Sequence, residues 1–216
     1  MAEISATTVK ELREKTGAGM MNCKKALEEC GGDIQQAIDY LRKKGLSDAA
    51  QKTDRIAAEG AVHAYIHGAG KLGVLVEINC ETDFVAKTDE FVELCRDIAM
   101  HICASNPLCV SEDEIDAAVL AKEKEIYTAK ALESGKPANI IEKIVEGQLK
   151  KFTESSALLT QPFVKNPELT VRKYIAEKVA KIGENIKVRR FMRYRLGEGI
   201  EKKKEDFVSE VMKQIK

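Results

Sequence analysis

The fold is decided by residues 61–78, which read AVHAYIHGAGKLGVLVEI. Every second residue is apolar on either side of a glycine-containing turn: Val62, Ala64 and Ile66 before it, and Leu72, Val74, Val76 and Ile78 after it. A period of two is typical of β-strands, and the turn at residues 68–71 joins the two strands into a predicted hairpin. Because a lone hairpin is only marginally stable in water, we expect further elements to cover it.

Two helices and one more strand are predicted to provide this cover. Apolar residues recur at helical spacing over residues 91–102, and Asn106-Pro107 ends this helix. The same spacing over residues 171–182 predicts a second helix, which ends at Gly183. Residues 186–196 return to strand-like alternation, in which Phe191 breaks the pattern and indicates a bulge.

The remaining segments are predicted to be helical. Three short helices fill residues 1–45, the third beginning at the N-cap Asp33 and ending at Gly45. Ser111 and Glu114 form a capping box, which begins a projecting antiparallel helical hairpin over about residues 112–152 with its bend at residues 133–137. The sequence therefore predicts an α+β fold in four parts: a three-helix N-terminal domain (1–45), a linker (46–60), a core with a small three-stranded antiparallel sheet (61–200) and a C-terminal helical module (201–216).

Composition narrows the class of protein. The chain has 216 residues, with 35 Lys and Arg against 35 Asp and Glu, so its formal net charge is zero. General polyanion binders carry a net basic field, which this chain lacks. No stretch reaches the ~18 consecutive apolar residues that cross a bilayer, and the N-terminus lacks the layout of a secretory signal. We expect a cytoplasmic protein, or one whose transit peptide has been removed, with no membrane partner.

No side-chain pattern predicts covalent chemistry, so we expect neither catalytic residues, nor a metal, nor a cofactor. The six cysteines form no C-x-x-C pair and most occupy apolar positions, which favours buried reduced thiols over zinc or disulfide roles. Residues 67–71, HGAGK, lack the spacing and the Ser or Thr of a phosphate-binding loop. His63 and His67 share a strand face without a third ligand, which leaves metal binding as a weak alternative.

One segment is locally basic. Residues 187–204 hold eight basic and two acidic residues, a net of 8 − 2 = +6, with Phe191 and Tyr194 among the arginines. This combination could stack on and neutralise RNA. The alternative is a strand with one apolar and one solvated face, and the neutral charge of the whole chain favours that alternative.

Longer motifs carry the interpretation further. Residues 9–13 (VKELR) and 16–27 (TGAGMMNCKKAL) are followed by residues 77–87 (EINCETDFVAK), 134–137 (SGKP), 161–164 (QPFV) and 181–186 (KIGENI). Together they resemble bacterial-type translation elongation factor Ts along nearly the whole chain. The resemblance implies a guanine-nucleotide exchange factor that binds elongation factor Tu in its GDP-bound and nucleotide-free states, without direct contact to nucleic acid.

The resemblance also implies which residues contact that partner. Thr82, Asp83 and Phe84, with Val85 beside them, form the loop of the family's central motif, in which the Phe84 ring is a wedge that enters an apolar pocket near the partner's magnesium site. Alternatively, Phe84 is the first core residue of the following helix. Phe91 already begins the apolar stripe of that helix, which favours the wedge.

Three further residues are assigned by the same resemblance. Met20 and Met21, predicted in the loop between the first two helices, match a pair that touches the partner's nucleotide domain, although methionines could also plug the small three-helix core. His67, at the tip of the hairpin, matches a histidine that meets a different domain of the partner. An ordinary surface histidine beside a turn is nearly as good an interpretation.

The chain departs from longer members of the family. Those members hold two copies of the strand unit, one with the Thr-Asp-Phe loop and one with the His-Gly hairpin, whereas this chain has both features in one copy. We therefore expect a homodimer, in which a buried sheet face supplies the missing apolar cover. The N-terminal helices also resemble a ubiquitin-associated domain, which leaves a ubiquitin-binding or nascent-chain module as a rival hypothesis.

Overall fold

The computed structural model describes residues 4–133 and 137–200 and confirms the predicted α+β class. The helices of this part of the chain are α1 (Ala6–Thr16), α2 (Met20–Glu29), α3 (Ile34–Lys52), α4 (Asp83–Ala86), α5 (Asp89–Ser105), α6 (Ala117–Leu132), α7 (Ala138–Ser156) and α8 (Val171–Ile182). Its strands are β1 (Glu59–His67), β2 (Leu72–Cys80), β3 (Pro162–Phe163), β4 (Asn166–Thr170) and β5 (Lys187–Arg195). The predicted C-terminal module at 201–216 and the centre of the predicted bend, 134–136, lie outside the described residues.

The predicted hairpin is the centre of an antiparallel sheet with strand order β1-β2-β5. On β2, alternate side chains from Val74 to Cys80 point into the main core and are almost completely buried. The third strand is confirmed, and its bulge lies slightly earlier than Phe191. The pairing passes from Glu77 opposite Arg190 to Ile78 opposite Val188, so Arg189 is the extra residue.

Helix α5 covers the inner face of the sheet, as predicted, whereas α8 packs mainly against α3 and contributes Val171, Ile175 and Val179 to the same core. Both begin at a threonine N-cap: Thr88 accepts from the Phe91 amide, and Thr170 accepts from the Lys173 amide. Both end at a residue in the left-handed region, Asn106 (φ 48°) and Gly183 (φ 92°). The side chains that α5 buries, from Phe91 to Cys103, form much of the main core.

The outer face of the sheet has no such cover within the described residues. Val62, Ala64 and Ile66 of β1 point to this face and are exposed, whereas Ala61 and Tyr65 pack against the main core. Leu75 pairs with Ala64 on one side and Met192 on the other, which places these three side chains in one row across the sheet. The row is an exposed apolar surface.

The first three helices form their own small core, and the predicted end of the third helix is wrong. The helix α3 continues through Gly45 to Lys52, and so enters the predicted linker. A Cβ at position 45 would lie 2.9 Å from the Cβ of Ala180 on α8, so this glycine permits close packing of two helices instead of ending one. The domain boundary at residue 45 stays a prediction.

The helical hairpin is present, but its first helix begins later than predicted. Residues Glu112–Glu114 form a 3-10 turn, in which the Glu114 carboxylate accepts a hydrogen bond from the Val110 amide at 3.0 Å. The helix α6 begins at Ala117, with Asp116 as its N-cap. The second helix, α7, continues to Ser156. Within the described residues, no helix is both long and apolar enough to span a bilayer.

Candidate functional site

The loop that follows β2 presents Phe84 to solvent. Thr82 is the N-cap of the one-turn helix α4, and its hydroxyl accepts from the Val85 amide at 3.4 Å. The Phe84 side chain is 80% exposed. Phe91, by contrast, is completely buried and is the first core residue of α5. The alternative in which Phe84 begins the core of the following helix is therefore wrong.

A distant carboxylate holds this loop. Glu184 follows α8 and accepts three hydrogen bonds: from the Thr82 hydroxyl at 2.7 Å, from the Thr82 amide at 3.0 Å and from the Glu81 amide at 3.1 Å. Hydrogen bonds to an ionised acceptor are among the stronger ones in proteins. The start of α4 is thus fixed to the end of α8.

Glu81 and Asn185, which adjoin Thr82 and Glu184 in the sequence, connect the same two segments in the opposite direction. The Asn185 amide donates to the Glu81 carboxylate at 2.6 Å, and Arg55 contacts the same oxygen at 3.5 Å. The Asn185 side chain is buried and donates to the backbone carbonyls of Thr53 and Arg55 at 3.3 and 2.7 Å. We call Glu81, Thr82, Glu184 and Asn185 the clasp. It joins the loop to α8 and to the segment after α3.

The other two side chains of the predicted loop differ in their surroundings. Asp83 is exposed and accepts from the Lys87 ammonium at 2.7 Å, a hydrogen bond that lowers the pKa of the Asp83 carboxyl. Val85 is partly buried and packs against the main core. Phe84 is therefore the large apolar side chain that the loop exposes to solvent.

The thiol of Cys80 supports the loop from below. Cys80 is buried at the end of β2 and donates to the Thr82 carbonyl with a sulfur–oxygen distance of 3.1 Å. Burial, with a further contribution from the Glu184 charge, raises the pKa of this thiol to about 11. Cys80 is thus a neutral donor at physiological pH and not a reactive thiolate.

Met20 and Met21 lie in the first turn of α2, not in the preceding loop. Gly19 is the N-cap of that helix. The two side chains are 48% and 65% exposed, while Cys23, Ala26 and Leu27 from the same helix fill the three-helix core. Neither methionine plugs that core. The pair forms an exposed, adaptable apolar surface.

His67 lies at the other end of the hairpin from the loop. Its Nδ1 atom is 3.0 Å from the Tyr65 hydroxyl, and the two rings stack with their centroids 5.9 Å apart. Since β2 is nine residues long, the tip and the Phe84 loop are separated by about 25 Å along the strand. One copy of the chain therefore does not bring His67 and Phe84 together.

The arginines of the basic segment are engaged with the protein itself. Arg189 and Arg190 both donate to the Glu77 carboxylate at 2.7 Å, which lowers the pKa of Glu77. Arg193 donates to the Cys103 carbonyl at 3.2 Å. These contacts favour the solvated-strand interpretation of residues 187–195 over the RNA-binding one.

Three residues of the clasp, Glu81, Glu184 and Asn185, were not predicted from the sequence. Glu184 and Asn185 occur in one of the quoted motifs, residues 181–186, but neither carried a role there. Their partners lie more than 100 positions earlier in the chain, so local spacing contains no signal for the contact.

Comparison with known proteins identifies relatives along the entire chain. The family model described as Elongation factor TS matches residues 4–198. A protein named Elongation factor Ts from Carboxydothermus hydrogenoformans is 60% identical over 213 residues, which cover 99% of this chain and 98% of that protein. The protein of the same name from Desulforamulus reducens is 59% identical over 216 residues, with complete coverage of both chains.

Proposed function

This chain belongs to the elongation factor Ts family, and from that membership we propose that it is a guanine-nucleotide exchange factor for elongation factor Tu in translation. It accelerates the release of GDP so that GTP can rebind. Such a factor breaks no covalent bond. Its chemistry is the differential binding of two states of its partner.

The energetics of exchange follow from linkage. A factor that binds the nucleotide-free partner more tightly than the GDP-bound partner must weaken GDP binding by the same ratio. The proposed wedge supplies this difference. The Phe84 ring enters an apolar pocket between helices of the partner, and their displacement distorts the nearby magnesium site, whose octahedral geometry tolerates little change.

The observation that carries the proposal is the exposure of Phe84 on a fixed support. An aromatic ring that is 80% exposed buries little apolar area and so contributes little to the stability of its own chain. Thr82 and Glu184 hold the loop, so its backbone loses little conformational freedom on binding. Aromatic side chains of this kind frequently dominate the binding free energy of interfaces.

The remaining assigned residues extend this contact. Met20 and Met21 bind the nucleotide domain of the partner through their exposed apolar surface. Asp83 and Val85 flank the wedge, and His67 contacts a second domain of the partner. The last assignment requires a second copy of the chain, because the tip of the hairpin is far from Phe84.

We propose a homodimer through the outer face of the sheet. Val62, Ile66, Leu75, Met192 and Tyr194 are exposed there, and a groove of ≈ 580 Å³ on this face is lined by Ile66, Leu75 and Tyr194 among others. An apolar sheet face of this kind is typical of an interface, and twofold symmetry would bury it against itself. Each partner molecule then meets Phe84 from one protomer and His67 from the other.

The wedge is tested by the release of a fluorescent GDP from elongation factor Tu. We expect the unmodified protein to accelerate release strongly, and Phe84→Ala to lose on the order of 30-fold or more of that acceleration. Leu108→Ala is the matched control, since it shortens another exposed apolar side chain away from the loop. Equal acceleration by Phe84→Ala and the unmodified protein would contradict the wedge.

The dimer is tested by sedimentation. We expect a particle of twice the 23.9 kDa chain mass, and dissociation in Leu75→Glu, which places a charge in the centre of the outer face. Val119→Glu, which adds the same charge to an exposed position on α6, should remain dimeric. A monomeric mass for the unmodified protein at working concentration would remove the proposal.

A further inference from the structure

We propose that Glu184 is a positioning residue for exchange: its carboxylate sets the direction in which α4 presents Phe84 to elongation factor Tu. The inference rests on the proposed function, because it assigns to Glu184 a role exerted through the wedge. It concerns a residue that touches no nucleotide. Glu184 acts on the partner through the orientation of a loop on its own chain.

The helix α4 is too short to fix its own orientation. It has four residues, and none of them is fully buried. A single turn of helix is unstable by itself in water, because the cost of ordering the first turn exceeds what its few hydrogen bonds return. Its direction is therefore set by two supports: the packing of Val85 and Ala86 against the main core, and the hydrogen bonds of its N-cap.

Thr82 is the N-cap of α4, and its hydrogen bonds help to set that direction. Its hydroxyl accepts from the Val85 amide inside α4 and donates to Glu184 Oε1 at 2.7 Å. Its own amide donates to Glu184 Oε2 at 3.0 Å. The residue that caps α4 is thus bound at two atoms by one carboxylate, and Phe84 follows it by two positions.

Glu184 is itself held in place from both sides. It comes directly after Gly183, whose left-handed φ of 92° ends α8. It is followed by Asn185, whose buried amide is bound to the carbonyls of Thr53 and Arg55. Because both of its neighbours are fixed by backbone geometry or by buried hydrogen bonds, Glu184 can transmit the position of α8 to the loop.

A double-mutant cycle separates this role from a purely structural one. Glu184→Gln keeps the shape of the side chain but removes its charge. In either orientation, the amide N–H₂ faces a group that donates to the carboxylate, either the two backbone amides or the Thr82 hydroxyl. At saturating factor, we expect it to lower the maximal rate of fluorescent GDP release by roughly tenfold, while the half-saturating concentration changes by less than about threefold. In the Phe84→Ala background, the same substitution should have no further effect, since a missing ring cannot be misplaced.

Two other variants provide the controls. Glu177→Gln removes a carboxylate on α8, the helix that ends just before Glu184. Glu177 pairs with Arg42 at 3.2 Å, and its substitution should leave the rate unchanged. Thr82→Ser keeps the hydroxyl that donates to Glu184, so its rate of release should exceed that of Thr82→Val. Thr82→Val removes the hydroxyl and should slow release as Glu184→Gln does. The threonine pair tests the same contact even if Glu184→Gln does not fold.

The outcomes distinguish the two levels of the account. Slower release by the same factor in both backgrounds would overturn the positioning role, because Glu184 would then act independently of the Phe84 ring. An unchanged rate in Glu184→Gln, together with slow release in Phe84→Ala, would overturn it and leave the wedge intact. An unaffected Phe84→Ala would overturn the wedge and the positioning role together.

Discussion

The two ends of the β1–β2 hairpin differ in how they are held. At the loop end, Glu184 accepts from the backbone amides of Glu81 and Thr82, and the Asn185 amide donates to the Glu81 carboxylate. The thiol of Cys80 donates to the Thr82 carbonyl. At the tip, His67 contacts Tyr65 of its own strand, and Gly68, Ala69 and Gly70 turn with positive φ. Both ends are assigned to partner binding. The difference indicates that the loop end is the more firmly held of the two, and it predicts a preformed contact there and an adaptable one at the tip in the proposed complex.

The largest expected effect contrasts the two glycines near these ends. A Cβ at Gly60, at the loop end of β1, would lie 2.2 Å from the Ile78 carbonyl oxygen, and its φ is +133°. Gly70, in the turn, has a φ of +87° but open space around it. We expect Gly60→Ala to lower the free energy of unfolding by about 3 kcal/mol or more, and Gly70→Ala by about 1 kcal/mol, in urea denaturation. Equal losses would remove the contrast in packing.

A smaller effect is expected from hydrogen bonds at the two ends. Asn185→Ala removes the hydrogen-bond donor of two backbone carbonyls and leaves a buried cavity. The two effects together should lower the free energy of unfolding by about 2 kcal/mol. Tyr65→Phe removes the exposed contact to His67 at the tip and should cost less than about 0.5 kcal/mol. The same denaturation experiment checks both. A larger cost at the tip would reverse the comparison.

Because the thiol of Cys80 at the loop end has a raised pKa, we expect it to make the free energy of unfolding depend on pH by about 1 kcal/mol. Burial raises the pKa of Cys80 to about 11, whereas the thiol of the unfolded chain titrates near 9. The unfolded state therefore loses its proton first, so this contribution is complete below about pH 9 and declines as the pH rises toward 11. The difference in unfolding free energy between the unmodified protein and Cys80→Ala should narrow by about 1 kcal/mol from pH 8 to pH 10. A constant difference would show that Cys80 titrates alike in both states.

The smallest effect concerns local motion. The Thr82 amide is bound to Glu184, whereas the turn at residues 68–71 is exposed. We expect the Thr82 amide to exchange its hydrogen at least about tenfold more slowly than the amides of the turn. Site-resolved hydrogen exchange measures this ratio. Similar rates at both ends would mean that the clasp does not stiffen the loop.

Periodicity predicted the elements whose side chains repeat over several turns. The hairpin, α5, α8 and β5 are confirmed because each has a sustained apolar pattern and a recognisable end. The short hairpin of β3 and β4 was missed, since two and five residues are too few to establish a period. Gly45 was misassigned because a helix C-cap and a close helix contact require the same residue in sequence.

The residues of the candidate site also divide into those that the sequence could predict and those that it could not. The exposure of Phe84 was predictable, because Phe91 already supplied the first core position of α5. The place of Met20 and Met21 in the first turn of α2 was not, since Gly19 is a weak N-cap signal. The clasp was invisible because its residues meet only after the sheet and α8 have formed. Contacts of this range need the fold before they can be seen.

The most direct test of the account places a single fluorine label on the ring at position 84 and records its resonance as nucleotide-free elongation factor Tu is added. The free protein should show a solvent-isotope shift between H₂O and D₂O, as an 80% exposed ring requires. We predict that this shift disappears in the complex, because the ring enters an apolar pocket of the partner. If the ring stays solvent-exposed in the complex while the labelled protein still accelerates GDP release, the central claim is contradicted.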